Sequence, residues 1–238
     1  MGSQMVFRRY EIKYLMDRRQ RDVILQAIAP YMAIDSYGHS SICNIYYDTP
    51  NFRLIRESLE KPVYKEKLRL RSYGPAGPED TVFVELKKKY KSVVYKRRIS
   101  LPLAQAEACL AGELPLPDSQ IGQEIAYTLD FYQGLKPAVY LSYEREAFFQ
   151  RDGGDFRVTF DENIRYRREE LSLNSAPWGK PILPPDQVLM ELKTAGGLPL
   201  WMVQALSQQK LFKTSFSKYG VAYQDILLTG QKGVLQYA

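Results

Sequence analysis

Charged and apolar residues alternate one by one in three segments of this chain. In Lys65-Glu66-Lys67-Leu68-Arg69-Leu70-Arg71 four cations fall at every second position, with Leu68 and Leu70 between them. In Thr81-Val82-Phe83-Val84-Glu85-Leu86-Lys87 the charges at Glu85 and Lys87 oppose Val82, Val84 and Leu86, and near the N-terminus Glu11 and Lys13 flank Ile12. A strand repeats every two residues, so each charged set occupies one face of a sheet. Eight strands are predicted on this basis, over 6–15, 40–48, 62–72, 81–89, 93–101, 138–149, 155–162 and 187–195.

Helical spacing fills the intervals. Asp17 opens a helix with Gln20 in the capping-box position and Val23, Ile24, Ala27 and Ile28 on one face. Thr49-Pro50 opens a short helix that aligns Phe52, Ile55 and Leu59. Leu101-Pro102 begins another that stops at Gly112, and Asp118 caps a fourth carrying Ile121, Ile125 and Leu129 as far as Gly134. Two more run from Pro199 to about Lys210 and from Phe216 to about Leu228. Residues 163–186, rich in Pro and Arg, read as an irregular surface excursion, with Arg165, Arg167 and Arg168 as surface charges.

The helices bear on which face of the sheet points inward. Half-buried strands ordinarily turn their polar face to water, but like charges opposite one another on adjacent strands are destabilising. An antiparallel barrel can hide its apolar residues inside, or outside beneath covering helices. The amphipathic helices here can cover the apolar faces, so the expected fold is α+β: an eight-stranded antiparallel β-barrel with a charged interior. One domain is expected over residues 1–238, with Met1-Gly2-Ser3-Gln4 read as a possible remnant ahead of Met5.

Composition narrows the chemistry. The chain has 238 residues and a formal net charge of +6, which favours an anionic partner. His39 is the sole histidine, so imidazole zinc sites and Ser-His or Cys-His dyads have no material unless His39 serves. Cys43 and Cys109 have neither metal-site nor redox spacing, and no stretch is long and apolar enough for a membrane span. A cytoplasmic, thiol-reduced protein is expected. With no phosphate-binding glycine loop, any metal would sit on carboxylates, which selects a hard ion such as Mn²⁺ or Mg²⁺.

The inward set reads as Lys13, Lys65, Lys67, Arg69, Arg71, Lys87, Lys96, Arg98, Arg145, Arg157 and Lys193, with the acids Glu11, Glu85, Asp161 and Glu191. Two cations about 6 Å apart repel by roughly 3 kcal/mol at an effective dielectric near 20. Water, counter-ions and the four acids must offset that surplus, or a polyphosphate-like ligand must. Arginines at 69, 71, 98 and 145 suit bidentate phosphate contacts. Lys65, Lys88, Lys89 and Lys91 also fit solvated edge charges. Glu11 and Glu85 fit either salt bridges or metal ligation. Glu191, in the otherwise apolar run Val188-Leu189-Met190-Glu191-Leu192-Lys193, is the better metal candidate.

Seven motifs, in order and spacing, resemble the polyphosphate-polymerase (VTC) domain of the triphosphate tunnel metalloenzyme superfamily. They are Arg9-Tyr10-Glu11-Ile12-Lys13-Tyr14, Lys67-Leu68-Arg69-Leu70-Arg71, Val84-Glu85-Leu86-Lys87-Lys88, Tyr95-Lys96-Arg97-Arg98, Tyr143-Glu144-Arg145, Glu191-Leu192-Lys193 and Phe216-Ser217-Lys218-Tyr219. The resemblance implies a tunnel that binds ATP or another nucleoside triphosphate beside Mn²⁺ or Mg²⁺ and passes the γ-phosphoryl group to a growing polyphosphate chain. It implies that Arg69 and Arg71 are paired phosphate-binding arginines. Lys13, Lys87, Lys96 and Arg145 would be further grips, Glu191 the metal carboxylate, and Glu11 a first-strand carboxylate. Ser217 and Lys218 resemble tunnel-mouth phosphate contacts, where a helix N-terminus adds its own anion preference. The family usually carries a lysine where this chain has Ser215, and Lys213 is the nearby substitute. A stand-alone form is expected, with neither the N-terminal phosphate-sensing domain nor the membrane helices of eukaryotic relatives.

Three functions fit: a polyphosphate polymerase, a tripolyphosphatase or organic-triphosphate hydrolase, and a non-catalytic polyphosphate-binding module. Phosphoryl transfer needs positioning and charge neutralisation more than an acid–base residue, in keeping with the scarcity of histidine. Nucleic acid is not expected, because the Lys65–Arg71 face carries no aromatic on which a base could stack. Whether a membrane protein receives the product is left open.

Overall fold

A computed structural model describes residues 10–91 and 93–235, with side chains as far as Thr229. Arg9, Met1-Gly2-Ser3-Gln4 and the start of the first predicted strand lie outside the described residues. In chain order the elements are β1 (Tyr10–Asp17), α1 (Arg18–Ile28), β2 (Met32–Asp48), α2 (Arg53–Leu59), β3 (Tyr64–Tyr73) and β4 (Thr81–Tyr90). There follow β5 (Val93–Pro102), α3 (Leu103–Ala111), α4 (Gln120–Tyr132), β6 (Lys136–Gln150) and β7 (Arg157–Arg167). The last are β8 (Lys180–Pro181), β9 (Gln187–Thr194), α5 (Leu200–Gln208), β10 (Lys213–Thr214) and α6 (Lys218–Leu235). All eight predicted strands are present, and β8 and β10 are two-residue additions.

Contacts divide the chain into two compact units. The first holds the chain up to Ser41 together with Tyr143–Ile164 and Leu183–Phe216. The second holds Ile42–Ser142, Arg165–Ile182 and the chain from Ser217 onward. In the first unit the antiparallel order is β10-β1-β9-β7. Ile12, Leu192 and Val158 lie in register across it, as do Tyr14, Met190 and Phe160. These rows and Met16 pack against Ile24 and Ile28 of α1 and Met202, Ala205 and Leu206 of α5. In the second unit the order is β2-β3-β4-β5. There Leu68, Leu70, Val82, Val84, Leu86 and Leu101 pack with Leu103, Ala106 and Leu110 of α3 and Ile125 of α4. In each unit the apolar face of the sheet meets amphipathic helices, as the two-residue and 3.6-residue periods require.

The helix starts show which sequence signals win. Asp17 and Gln20 form the expected capping box. The fourth helix begins one residue later than predicted, because Ser119, not Asp118, caps it by accepting from the Gly122 N–H. At α2 the expected Thr49 hydroxyl accepts the Arg53 N–H at 2.9 Å, and a buried carboxylate joins it. Asp48 accepts the backbone N–H groups of Leu54 and Ile55 through different oxygens, at 2.9 and 3.1 Å. It also takes the Thr49 N–H and, at 2.9 Å, the Tyr219 hydroxyl of α6. Burial raises the Asp48 pKa even against these donors. Arg167 is a second correction. It is 4% exposed rather than a surface charge, with its guanidinium 3.4 Å from the Tyr140 ring centroid and its donors on the carbonyls of Glu169, Glu170 and Trp178.

Because Asp48 holds two helices at once, its loss should exceed that of an ordinary cap. Asp48→Ala is expected to cost about 3 kcal/mol in urea unfolding and Tyr219→Phe about 1 kcal/mol. A loss below that of Tyr219→Phe would show that Thr49 alone suffices to start α2.

Candidate phosphate-binding site

The charged faces form ordered rows because the registers are aligned. In the second unit, Arg69, Glu85 and Arg98 stand opposite one another on β3, β4 and β5, and the next row is Lys67, Lys87 and Lys96. Tyr46 and Asn44 of β2 extend the face beside Arg69 and Arg71. Glu85 is 1% exposed and lies at the centre. Arg69 grips one of its oxygens through Nε and Nη2 at 2.8 and 2.6 Å. The other oxygen takes Arg98 through Nε and Nη2 and the Lys96 ammonium at 2.8 Å. Arg71 stands 3.8 Å away and donates to Asn44 Oδ1 at 2.9 Å. Burial would raise the Glu85 pKa, but Arg69, Arg71 and Lys96 together hold it well below the usual carboxylate range. Its contribution to stability is therefore complete above the ordinary glutamate range and is lost only as pH falls toward the depressed value.

Aromatic side chains brace these cations from neighbouring strands. Arg69 donates to the Tyr46 hydroxyl at 3.1 Å, and Tyr46 stacks on Tyr219, which bonds Asp48. Arg98 lies 4.3 Å from the centroid of Phe83. The face therefore carries aromatics outside the Lys65–Arg71 stretch, Tyr73 at the end of β3 among them, 5.8 Å from Phe83, and the argument against nucleic acid loses that support. At the start of α6 the Ser217 hydroxyl accepts from Gly220 N–H at 3.1 Å and from the Lys67 ammonium at 2.9 Å. Ser217 is thus the N-cap of an 18-residue helix, and Lys218, 8% exposed, is its first residue.

The first unit repeats the device with different acids. Its rows are Lys13, Glu191 and Thr159, then Glu11, Lys193 and Arg157. The Lys13 ammonium sits 3.2 Å from Glu11 and 3.3 Å from Glu191, and donates to the Phe216 carbonyl at 2.9 Å. Lys193 and Arg145 approach Glu191 at 3.5 and 3.7 Å. Arg145 binds both oxygens of the fully buried Asp161, at 2.6 and 2.7 Å.

A family model described as the VTC domain matches residues 8–227. The chain belongs to the VTC-domain family. Vacuolar transporter chaperone complex subunit 4 of Trypanosoma cruzi is 24% identical over 218 residues, covering 73% of this chain and 27% of that protein. The Schizosaccharomyces pombe protein of the same name is 27% identical over 154 residues, covering 55% and 21%. The VTC domain described here thus spans about a quarter of the length of these curated relatives. A crystal structure of a "putative adenylate cyclase" from Bacillus halodurans matches with a TM-score of 0.54 at 14% identity, over 89% of this chain and 94% of that one. That likeness shows a shared fold, a mostly antiparallel sheet with covering helices, as the strand pattern predicted.

Triphosphate-tunnel enzymes generally work with divalent cations. In this VTC domain Glu11 and Glu191 already share one positive charge, the Lys13 ammonium. No group of three His, Cys, Asp or Glu side chains suited to a metal occurs among the described residues. Two carboxylates completed by phosphate oxygens and water are what Mg²⁺ or Mn²⁺ ordinarily uses, so the donor set fits. Glu85, saturated by cations, is a structural carboxylate.

Other expectations are corrected by geometry. Lys213 pairs with Tyr14, and its neighbour Thr214 pairs with Lys13. Paired residues share a face, so Lys213 lies on the Tyr14 side of the sheet, opposite the face of Lys13 and Glu191. Lys65 and Lys88 are not solvated edge charges: Lys65 donates to the Ser58 carbonyl at 2.9 Å, and Lys88 pairs with Glu124 at 3.2 Å. Asn44 and Tyr46 escaped the sequence analysis, although they alternate within a predicted strand, and Tyr219 entered it only as part of a motif.

Two predictions follow from the Glu85 cluster. Glu85→Gln leaves four cations without their counter-charge and should destabilise the protein by about 3–5 kcal/mol. Tripolyphosphate should recover most of that loss in thermal melts, and recovery by sulfate at equal ionic strength would point to simple screening. Lys96 governs the second. Burial, with Arg98 and Arg71, pushes its ammonium down to about 7 against the pull of Glu85. Between that value and the ordinary lysine range the unfolded chain binds more protons, so stability without anion should rise as pH rises above about 7. Tripolyphosphate binding at pH 8 should then take up protons, read as a buffer-dependent calorimetric enthalpy. Lys96→Met should remove both effects.

Proposed function

We propose that this domain is a phosphotransferase that passes the γ-phosphoryl group of ATP, or of another nucleoside triphosphate, to an inorganic polyphosphate chain. The carrying observation is the pair of aligned rows on β3, β4 and β5, where three lysines lie side by side next to two arginines fixed on one buried carboxylate. Like charges in register are unfavourable, and a chain of phosphates is the ligand that offsets them. In the second unit Arg69, Arg71 and Lys87 would bear on a transferring phosphate, and Lys67, Lys96, Arg98, Ser217 and Lys218 would hold neighbouring phosphates. In the first unit Arg145 would take the corresponding role, with Lys13 and Lys193 as further phosphate grips. The names of the relatives, vacuolar transporter chaperone subunits, support a polyphosphate-related role.

The chemistry asks mostly for position and charge. Guanidinium groups carry five N–H donors in a fixed fork, so those held on Glu85 or Asp161 are oriented before substrate arrives. As charge moves onto the leaving oxygens, such preset donors stabilise it with little reorganisation. The acceptor, an anionic phosphate terminus, needs no deprotonation, which accords with the absence of histidine from both faces. A divalent cation, Mn²⁺ or Mg²⁺, would be held by Glu191 with Glu11 and would add charge neutralisation to the phosphates. Two free cysteines, Cys43 and Cys109, are buried and accord with a reducing, cytoplasmic setting. No helix among the described residues is long and apolar enough to cross a membrane.

Purified protein incubated with ATP and Mn²⁺ should yield chains visible on gels and by phosphorus NMR. Orthophosphate alone would make it a hydrolase of the same fold, and no turnover with tight tripolyphosphate binding would make it a binding module. Glu191→Gln should abolish metal-dependent turnover and keep metal-free tripolyphosphate binding. Arg69→Ala should weaken that binding by about 2 kcal/mol, roughly thirtyfold. Lys213→Ala should leave it unchanged.

A further inference from the structure

Thr159 ends the row that Lys13 and Glu191 begin, and its hydroxyl takes no part in that row's ion pairs. It pairs in register with Glu191, which pairs with Lys13, so its side chain shares their face. The residue is 6% exposed, and its hydroxyl is buried with no hydrogen-bond partner among the described residues. Lys13, Glu191, Arg145 and Asp161 around it are all ion-paired. An unsatisfied buried hydroxyl lowers stability, and valine would fill the same volume without that penalty.

We propose that the Thr159 hydroxyl is a positioning group for the divalent cation at Glu191, holding a water of its hydration shell. This rests on the metal-dependent reading above. Magnesium and manganese bound by one or two carboxylates and phosphates retain several waters, and those polarised waters need fixed acceptors. Lys13, Lys193, Arg145 and Arg157 offer donors only. Asp161 has both oxygens on Arg145, and Glu11 and Glu191 would be the ligands. Thr159 would supply a neutral oxygen that accepts from such a water.

The test compares Thr159→Val and Thr159→Ser with the wild type and Glu191→Gln. Bound Mn²⁺ is followed by electron paramagnetic resonance at fixed tripolyphosphate, against a protein-free tripolyphosphate baseline. Tripolyphosphate affinity in EDTA and the melting temperature are measured alongside. Thr159→Val should bind Mn²⁺ about five- to tenfold more weakly, the scale of one lost hydrogen bond. Its metal-free tripolyphosphate affinity should stay within twofold and its melting temperature should not fall. Thr159→Ser should restore Mn²⁺ binding to within twofold of wild type. Thr159→Ala, read the same way, replaces the valine variant if that variant fails to fold. Wild-type Mn²⁺ affinity in the variant lacking the hydroxyl, with Glu191→Gln impaired, overturns the role of Thr159 alone. Equal loss of Mn²⁺ and metal-free tripolyphosphate affinity also overturns it, since the hydroxyl would then serve phosphate. A wild type that holds no more Mn²⁺ than Glu191→Gln overturns the metal-dependent reading and this inference with it.

Discussion

Everything on the charged faces depends on one electrostatic constraint: cations stacked on adjacent strands must be neutralised from within their own face. Glu85 meets it in the second unit, reached by Arg69, Arg98 and Lys96 within 2.8 Å and by Arg71 at 3.8 Å. Asp161 and Glu191 meet it in the first, through Arg145, Lys13 and Lys193. Each acid is nearly inaccessible to water, where its attraction is weakly screened and the cost of leaving a partner unpaired is high. The acids also fix the arginines in position, since a guanidinium held by two hydrogen bonds loses most of its rotational freedom.

The apolar half of the fold follows from the same alternation. Once Lys67, Arg69 and Arg71 share a face, Leu68 and Leu70 must share the opposite one, where α3 and α4 cover the second unit's sheet. In the first unit α1 and α5 do the same for Tyr14, Met190 and Phe160. Burial of these side chains supplies the main driving force and tolerates the strained electrostatics beneath. The second layer of support is polar: Asp48 ties α2 to Tyr219 of α6, and Tyr219 carries Tyr46 and through it Arg69. A change remote from the charged face, such as one at Asp48, is therefore placed to disturb an arginine on it.

Much of this was legible in the residues themselves. Period-two charge at 65–71 and 81–87, the capping box at Asp17 and Gln20, and the stop at Gly112 are local signals, and local sterics and hydrogen bonding decide them. Which residues share a face is also local, so Lys67, Arg69, Arg71, Glu85, Lys87, Lys96 and Arg98 could be named from alternation alone. The isolated Glu191 in an apolar strand stood out for the same reason. Family motifs added roles for these positions, and the family match over residues 8–227 establishes the kinship.

What only the tertiary structure decided is who stands opposite whom. Register between the successive strands β3, β4 and β5 made Glu85 the hub of a cation lattice, and pairing of β9 with the distant β1 and with β7 left Glu191 between Lys13 and Thr159. It also turned Lys213 toward the Tyr14 face, although an extended segment read in isolation allowed either side. Arg167 looks like a surface charge until its strand runs on to residue 167 and Tyr140 and Trp178 close around it. Aromatics absent from the Lys65–Arg71 stretch arrive on the neighbouring strands β2 and β4 as Tyr46 and Phe83. Side-chain period is a property of one strand, whereas pairing is settled by the free energy of the whole sheet, which no single segment contains.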